Sequence, residues 1–292
     1  MSAMTNWLVT GAAGMLGRDL VDVLQQHGAR FTAVDHPELD ITDAAAVHAR
    51  VAGHDVVINA AAWTDVDGAE ADESGATAVN GAGAGNLAAA CAATGARLLH
   101  LSTDYVFAGD ATAPYPEDAP TAPINAYGRS KLAGEVAVRE LLPAAGYVVR
   151  TAWLYGANGR NFVTTMLKLA TDRDTLDVVR DQRGQPTWSY SLARRLVELG
   201  ERARQGAAPA GTYHATSCGV TTWYDFARAI FEEAGLDPDR VHPTTSDRFP
   251  RPARRPSYSV LGHARWRDVD LSPLPDWRAM LHEACEAPGL LG

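Results

Sequence analysis

The segment that most constrains the fold lies near the N-terminus, where a short apolar run, a glycine-rich turn and an amphipathic helix follow one another. Residues 7–10 predict a buried strand, and apolar residues at helical spacing then continue as far as Gly28. Gly11, Gly14 and Gly17 lie between them. Glycines allow a backbone to approach a pyrophosphate closely, and the N-terminus of the following helix offers free N–H groups. The segment therefore predicts the start of a βαβ unit that can hold a dinucleotide.

A second apolar run, residues 31–34, ends in an acidic residue, Asp35. An acidic side chain about 20 residues beyond the glycine turn can accept hydrogen bonds from the adenosine ribose of a bound dinucleotide. Its charge repels a ribose 2′-phosphate, and the residues that follow it are His36 and Pro37 rather than Arg or Lys. We therefore expect NADH to be accepted at least as well as NADPH.

The alternation of strand and helix continues along the chain. Four further apolar runs have the length expected of buried strands: residues 55–59, 97–101, 147–151 and 211–215. An Ala-rich helix is predicted at residues 86–94. Ligands of open parallel sheets bind at the carboxyl ends of the strands, which makes Ala61, Ala62 and Thr103 candidate site residues. The pattern predicts an α/β fold with a doubly wound parallel sheet.

Tyr127 and Lys131 form a pair in a chain that has 24 Arg but only two Lys, at positions 131 and 168. A spacing of four residues puts both side chains on one face of a helix. A compact ammonium can approach a phenol and a ribose where a planar guanidinium cannot. The pair is therefore a candidate catalytic site, and an exposed aromatic–cation pair on a solvated helix is the alternative.

The net charge of −9 and the pI near 5.4 argue against a nucleic-acid partner or an anionic membrane surface. Cys91, Cys218 and Cys285 are too widely spaced to match a metal-binding pattern, and reduced core thiols are expected. The first basic residue is Arg18, and no apolar stretch approaches the length of about 18 residues typical of a membrane span. We expect a cytoplasmic protein.

Taken together, the glycine turn, Thr103 and the Tyr127–Lys131 pair resemble the extended short-chain dehydrogenase/reductase superfamily. Longer stretches are similar to one family within it, the dTDP-4-dehydrorhamnose reductases. These stretches extend over nearly the whole chain: residues 59–67, 101–107, 126–135, 150–155, 182–187, 222–225, 254–261 and 274–277. The resemblance implies a Rossmann-like fold and an NADPH- or NADH-dependent reduction of the 4-keto group of a dTDP-linked 6-deoxyhexose.

The resemblance also implies roles for individual residues. Tyr127 would donate a proton to the substrate carbonyl oxygen, Lys131 would lower the pKa of this phenol and hold the nicotinamide ribose, and Thr103 would orient the ketone. The residues expected to contact the cofactor are Gly11, Gly14, Met15, Leu16, Gly17, Asp35, Asp40, Ile41, Ala61, Ala62, Trp63, Tyr127 and Lys131. Thr103, Asp104 and Trp153 would contact the sugar nucleotide, although a Trp at such a position can equally be a core aromatic.

Two domains are expected. Residues 1–155, with 175–216 returning to them, would form the dinucleotide-binding domain, and residues 217–292, with 156–174, a smaller, mainly helical lobe. This lobe contains Arg254 and Arg255 in a basic, proline-rich stretch, and Arg side chains can bind a diphosphate bidentately. A solvated loop that makes surface ion pairs is the alternative.

Two other functions stay open from the sequence alone. A sugar-nucleotide dehydratase or epimerase shares the fold, but Tyr105 follows Asp104 where such dehydratases carry a second carboxylate. A non-catalytic, cofactor-binding regulatory subunit is the other alternative. Residues 187–192, where some family members bind Mg²⁺ at a dimer interface, contain no carboxylate, so we expect no metal. Whether the chain is a monomer or a homodimer, and which keto-sugar it takes, are left open.

Overall fold

The structure is a computed structural model that describes residues 4–291. Its strands are β1 Asn6–Thr10, β2 Arg30–Val34, β3 Val56–Asn59, β4 Arg97–Thr103, β5 Gly146–Thr151, β6 Leu154–Tyr155, β7 Leu176–Val179, β8 Arg183–Gly184, β9 Thr187–Trp188, β10 Gly211–His214, β11 Thr221–Thr222 and β12 Val241–Thr244. Its α-helices are α1 Met15–Gln26, α2 Ala44–Val51, α3 Gly68–Ala71, α4 Glu73–Thr77, α5 Ala84–Thr94, α6 Ala126–Leu141, α7 Phe162–Asp172, α8 Ser189–Arg204, α9 Trp223–Glu233 and α10 Trp277–Glu286.

A six-stranded parallel sheet forms the centre of the molecule, in the order β2-β1-β3-β4-β5-β10. The strand order reverses between β1 and β3, and ligands of such sheets bind in the crevice beyond the carboxyl ends of the strands at this point. Each predicted strand lies within one or two residues of its expected position. The predicted Rossmann-like, doubly wound fold is therefore confirmed.

Both faces of the sheet are covered, which explains why its strands are nearly continuously apolar. Successive side chains of a strand point to opposite faces. Trp7 and Val9 of β1 pack in one core with Leu196 of α8. Leu8 of the same strand packs on the other face with Leu87 of α5. The sheet edge that carries the candidate site is thus supported from both sides.

A smaller lobe is built mainly from helices α7, α9 and α10, as the sequence predicts. Its core contains Val163, Phe226, Ile230, Met280 and Leu281. Strands β7 and β12 pair in parallel beside these helices. None of the helices within residues 4–291 is both long enough and apolar enough to cross a membrane.

Two stretches pack differently from the predicted domain boundaries. Strand β7, which the sequence assigns to the sheet domain with residues 175–216, pairs with β12 and packs in the core of the lobe. Conversely, Trp266 from the predicted lobe packs in the core beneath the sheet, and its Nε1 donates to the carbonyl oxygen of His214 at 2.7 Å. A short apolar run suits either core, so the sequence could not assign these stretches. The division into two domains itself stays a prediction.

The helix predicted at residues 86–94 begins earlier in the structure. Helix α4 runs through a π-helical turn, Ala78–Gly83, into α5. Its glycines have low helix propensity, so the sequence did not predict a helix there. They allow close packing instead, because a Cβ at Gly83 would lie 2.7 Å from the Cδ1 atom of Ile41. Such π-turns are frequent at functional sites, and this one carries Asn80.

Candidate active site

The glycine turn between β1 and α1 brings the backbone close to the end of β3. Gly11 has a φ of +70°, and a Cβ there would lie 2.6 Å from the amide nitrogen of Ala61. A Cβ at Gly17 would lie 2.1 Å from the Gly11 carbonyl oxygen, whereas one at Gly14 would meet nothing closer than 3.3 Å. Gly14 precedes α1, and no side chain caps this helix within the described residues. The N–H groups of Met15 and the next residues of its first turn can therefore receive an anion.

The predicted adenosine side of the site lies at the end of β2. Asp35 is partly exposed there, and its N–H donates to Oε2 of Glu38 at 2.8 Å. Asp40 is exposed, and its Oδ1 accepts from the N–H of Thr42 at 2.9 Å, which lowers the pKa of this carboxyl. Ile41 is buried. Within the part of the chain that the structure describes, Asp35 keeps its carboxylate free for a ribose, whereas Asp40 holds a local turn.

An asparagine that the sequence analysis missed holds the backbone beyond β3. Oδ1 of Asn80 accepts from the N–H of Trp63 at 2.9 Å, and its Nδ2 donates to the carbonyl oxygen of the same residue at 3.1 Å. At the other end of this stretch, the N–H of Ala61 donates to Oδ1 of Asn59. Ala62 lies between them, partly exposed. The only sequence signal for Asn80 was its place in a glycine-rich stretch.

Tyr127 lies in the first turn of α6, and the helix starts here because the Asn125 side chain accepts from the N–H of Gly128 at 2.8 Å. The Tyr127 side chain is mostly buried and lies beside the side chain of Thr103 at the end of β4. Burial, followed by the nearby charge of Asp104, raises the pKa of Tyr127 to about 12. The structure therefore places Tyr127 and Thr103 together, as the sequence predicts.

The expected direction of the Tyr127 pKa shift is wrong. The resemblance implies that the Lys131 ammonium lowers the pKa of the phenol, but the pKa is raised, because desolvation of the hydroxyl dominates. Nζ of Lys131 instead donates to the carbonyl oxygen of Leu101 at 2.6 Å. Burial lowers the pKa of Lys131 to about 8, against the attraction of Glu135. At neutral pH the phenol is protonated and the amine mostly charged.

Asp104 provides a buried carboxyl beside this pair. Its Oδ1 accepts from the Thr103 hydroxyl at 3.0 Å, and burial raises the pKa of Asp104 to about 6. Its Oδ2 is buried and makes no hydrogen bond within residues 4–291, although the nearby Ser259 side chain lowers the pKa of the carboxyl. A buried polar atom without a partner is unusual in a folded protein. The carboxyl is therefore placed to bind a hydroxyl group of a ligand.

Trp153 lies just beyond β5 in a left-handed backbone conformation, with a φ of +49°. Such a conformation costs energy for a large residue and is common at functional sites. Its ring stacks on Trp223 with 3.6 Å between ring centroids and 9° between planes. A Cβ at Gly184 would lie 2.5 Å from the indole. Both Trp rings are partly exposed, so together they offer a flat aromatic surface to a ligand. The sequence analysis identified Trp153 as a candidate site residue but missed Trp223.

The two candidate phosphate-binding arginines differ in the structure. Arg255 forms a bidentate ion pair with Asp67, at 2.5 and 3.1 Å, and this contact lowers the pKa of Asp67. The Arg254 side chain is exposed, and its carbonyl oxygen accepts from Nδ2 of Asn125 at 2.8 Å. Among residues 4–291, Arg254 thus has a free guanidinium near the start of α6, whereas the guanidinium of Arg255 already has a carboxylate partner.

The arrangement fits transfer of a hydride and a proton to a carbonyl group. A turn with free N–H groups can hold a pyrophosphate, and a protonated phenol lies at the same edge of the sheet with a buried carboxyl beside it. Within residues 4–291, no group of three or more His, Cys, Asp or Glu side chains is placed to hold a metal ion. The absence of a metal from the reaction stays a prediction.

Comparison with known proteins gives a consistent result. The family model described as the RmlD substrate binding domain matches residues 5–288. A Streptomyces griseus protein named dTDP-4-dehydrorhamnose reductase is 56% identical over 283 residues, covering 96% of this chain and 93% of the relative. A Streptomyces niveus dTDP-4-keto-6-deoxy-D-glucose reductase is 52% identical, covering 95% of this chain and 96% of the relative. The crystal structure of Bacillus anthracis dTDP-4-dehydrorhamnose reductase in complex with NADP superposes with a TM-score of 0.91 at 37% identity, covering 97% and 99% of the two chains.

Proposed function

The chain belongs to the dTDP-4-dehydrorhamnose reductase family, and from this we propose that it uses NADPH or NADH to reduce the 4-keto group of a dTDP-linked 6-deoxyhexose. The observation that carries the proposal is the position of Tyr127, a protonated phenol beside Thr103 at the carboxyl end of β4. The names of the two Streptomyces relatives support the substrate class, and the NADP of the Bacillus anthracis structure supports the cofactor.

A bound nicotinamide cofactor supplies the hydride, and the residues of the chain manage the proton. Tyr127 donates its hydroxyl proton to the carbonyl oxygen, and its high pKa ensures that the proton is present at neutral pH. Thr103 orients the ketone through its hydroxyl, and Lys131 holds the nicotinamide ribose with its ammonium. A positioned proton donor typically contributes a factor of roughly 10²–10⁴ to the rate.

The remaining predicted site residues divide between the two ligands. Gly11, Gly14 and Gly17, with the start of α1, hold the pyrophosphate of the cofactor, and Asp35 binds the adenosine ribose. The expected contacts of Met15, Leu16, Asp40, Ile41, Ala61, Ala62 and Trp63 with the cofactor belong to the same proposal. Because Asp35 is followed by an exposed His and a Pro rather than by a cation, we propose that NADH serves at least as well as NADPH.

Asp104 and Trp153 bind the sugar nucleotide in this proposal, and Arg254 contacts its diphosphate. The free Oδ2 of Asp104 suits a sugar hydroxyl. Arg255 contributes through its ion pair with Asp67, which fixes the loop that presents Arg254. A cytoplasmic enzyme that works as a monomer or homodimer is part of the proposal.

The residue after Asp104 argues against a dehydratase. Tyr105 lies where the related dehydratases carry a second carboxylate, and burial raises the pKa of its phenol further above the usual value. Its ring contacts Tyr127 edge to face, with 5.9 Å between the centroids. A single carboxyl group is then present beside the reacting centre, too few for paired acid and base work by carboxylates.

The test is an assay of the purified protein with dTDP-4-keto-L-rhamnose and either cofactor. We expect NADPH or NADH to be consumed in equal amount to the ketone, with a 4-hydroxyl product identified by NMR spectroscopy. A substrate that is epimerised, dehydrated or unchanged, with the cofactor still reduced, would contradict the proposal.

A further inference from the structure

Two side chains of helix α6 bind consecutive residues of β4, Leu101 and Ser102. The second of these contacts has no part in the mechanism above. Lys131 binds the carbonyl oxygen of Leu101 at 2.6 Å. One helical turn later, Glu135 accepts from the hydroxyl of Ser102, also at 2.6 Å. Ser102 directly precedes Thr103 in the strand. The Glu135 carboxylate therefore holds the strand from which the catalytic threonine projects.

The Glu135 side chain has no exposed surface, and both of its oxygens are fully bonded. Nε of Arg150 donates to Oε1 at 2.8 Å, and Nη2 of the same residue donates to Oε2 at 2.7 Å. Nη1 of Arg139 donates to Oε2 at 3.0 Å. Although burial raises the pKa of Glu135, the bonds and charge of Arg150 outweigh it, and the net pKa is lowered. The carboxylate is charged at neutral pH.

Arg150 is itself fixed on the far side of Glu135. Its guanidinium lies over the ring of Phe107, 4.9 Å from the centroid, and its Nη1 donates to the carbonyl oxygen of Glu117 at 3.3 Å. Nη1 also lies 3.2 Å from Nε2 of His214. Burial and the Arg150 charge lower the pKa of His214 to about 3, so this imidazole is neutral. Arg150 is thus a fixed anchor of the carboxylate.

Burying an ion pair costs desolvation free energy that an apolar pair of the same size would not cost. The Glu135–Arg150 ion pair lies next to the Lys131 ammonium, so the Glu135 charge can act on Lys131. Lys131 faces Glu135 on its own helix and the neutral His100 on β4, and Arg150 of β5 lies behind the carboxylate. Glu135 is the group that favours the charged form of Lys131 against burial.

We propose that Glu135, anchored by Arg150, is a positioning residue for the reduction: it holds the end of β4 through Ser102 and keeps the Lys131 side chain charged. The proposal rests on the proposed function for its catalytic consequence. Its electrostatic part does not, because the charge of Lys131 also governs the binding of the cofactor alone.

The test uses two variants that weaken the negative charge next to Lys131, one directly and one through its anchor. Because the pKa of Tyr127 is near 12, loss of activity as the pH rises through about 8 reports Lys131. Glu135→Gln removes the attractive charge, so the pKa of Lys131 falls and activity is lost at lower pH. Arg150→Met removes the cation that keeps the buried Glu135 carboxylate charged, so the pKa of Glu135 rises, its attraction for Lys131 weakens and activity is again lost at lower pH. We expect a shift of about one pH unit in each case.

Glu135→Gln should also lower kcat/KM by roughly 10- to 100-fold at neutral pH, because the β4 end is less firmly held. Ser102→Ala separates the two effects, since it removes the bond to Glu135 but keeps the charge: kcat falls several-fold and the pH limb stays in place. Glu73→Gln is the matched control, because it removes an exposed carboxylate that pairs with Arg129; neither the rate nor the pH limb should change.

The dissociation constant of NADH, measured against pH without any sugar, should show the same shifts to lower pH. This arm keeps the result separate from the proposed function, since a wrong substrate would abolish turnover but leave these shifts. If Glu135→Gln does not fold, Arg150→Met and Ser102→Ala still test the electrostatic and the positioning parts of the proposal. An unchanged pH limb in both Glu135→Gln and Arg150→Met, or a shift to higher pH in either of them, would overturn the proposal.

Discussion

The cofactor side and the substrate side of the site are built differently. On the cofactor side, Lys131 is buried, and its ammonium donates to the carbonyl oxygen of Leu101 in β4. On the substrate side, Trp153 and Trp223 stack while partly exposed, and Arg255 depends on a partly exposed ion pair. Buried polar contacts lose much free energy when one partner is removed, whereas exposed ion pairs contribute about 0–1 kcal/mol. Substitutions on the first side should therefore change turnover, and those on the second side should change affinity.

The largest expected effect is that of Tyr127→Phe, which tests the cofactor side directly. Loss of the proton donor should lower kcat by roughly 10²–10⁴, while the dissociation constant of NADPH stays within a few-fold. Steady-state kinetics and fluorescence titration of the cofactor check the two parts. Tyr105→Phe is the matched control, since it removes the hydroxyl of the ring that contacts Tyr127. Equal activity in the two variants would contradict the assignment of Tyr127 as the proton donor.

A second prediction concerns the free energy of unfolding, which the buried Asp104 carboxyl lowers when it is charged. The pKa of Asp104 is about 6 instead of 3.8, and this difference corresponds to about 3 kcal/mol. Because the folded pKa is raised, the contribution to stability is complete below the unfolded pKa and is lost as the pH rises through 6. The free energy of unfolding of the wild type should thus fall relative to that of Asp104→Asn between about pH 4 and pH 7.

Urea unfolding of both proteins at the two pH values measures this difference. The pKa of Asp19 is also raised by burial, but this residue is common to both proteins and cancels in the comparison. A difference between the two proteins that does not change with pH would mean that Asp104 has the same pKa in the folded and the unfolded protein.

The contrast between the two sides also explains what the sequence could predict. The glycine turn and the Tyr127–Lys131 pair are local patterns, and local spacing determines which side chains share a helix face. The pair of Arg255 with Asp67 joins residues 188 positions apart, and the contact of Asn80 with Trp63 depends on a π-turn that glycines obscured. Patterns of neighbouring residues carry no information on such contacts.

The direction of the Tyr127 pKa was predicted wrongly for a related reason. Spacing showed that Lys131 lies on the same helix face, but not that the hydroxyl is desolvated or that Nζ turns to the backbone of β4. Burial is a property of the assembled fold, and here it outweighs the influence of a neighbouring charge. The Glu135–Arg150 pair beneath Lys131 could not be predicted from local spacing either.

A third prediction addresses the substrate side, where smaller effects are expected. With cofactor present, dTDP should bind in calorimetry and compete with the substrate, whereas free rhamnose should not. Arg254→Ala should weaken dTDP binding by about tenfold, as expected for one bond to a charged group. Arg267→Ala, which removes another exposed Arg, is the control. Absence of dTDP binding, or equal binding by the two variants, would remove the diphosphate assignment.

The smallest expected effect concerns the cofactor preference. The kcat/KM for NADH should equal or exceed that for NADPH, and Asp35→Ala should shift the ratio a few-fold toward NADPH, because removing a repulsive charge adds no phosphate ligand. Asp22→Ala, an exposed carboxylate of α1, should leave the ratio unchanged. A strong preference for NADPH that is indifferent to Asp35 would mean that this side chain points away from the ribose.

The most direct test of the central claim follows the hydride itself. The protein is incubated with dTDP-4-keto-L-rhamnose and NADPH in which both hydrogens at the nicotinamide C4 position are deuterium, and the sugar is analysed by NMR spectroscopy. The account predicts deuterium on C4 of the sugar of the wild-type product and a far slower appearance of this label with Tyr127→Phe. A product without the label, or a label retained by the cofactor while the sugar changes, would contradict it.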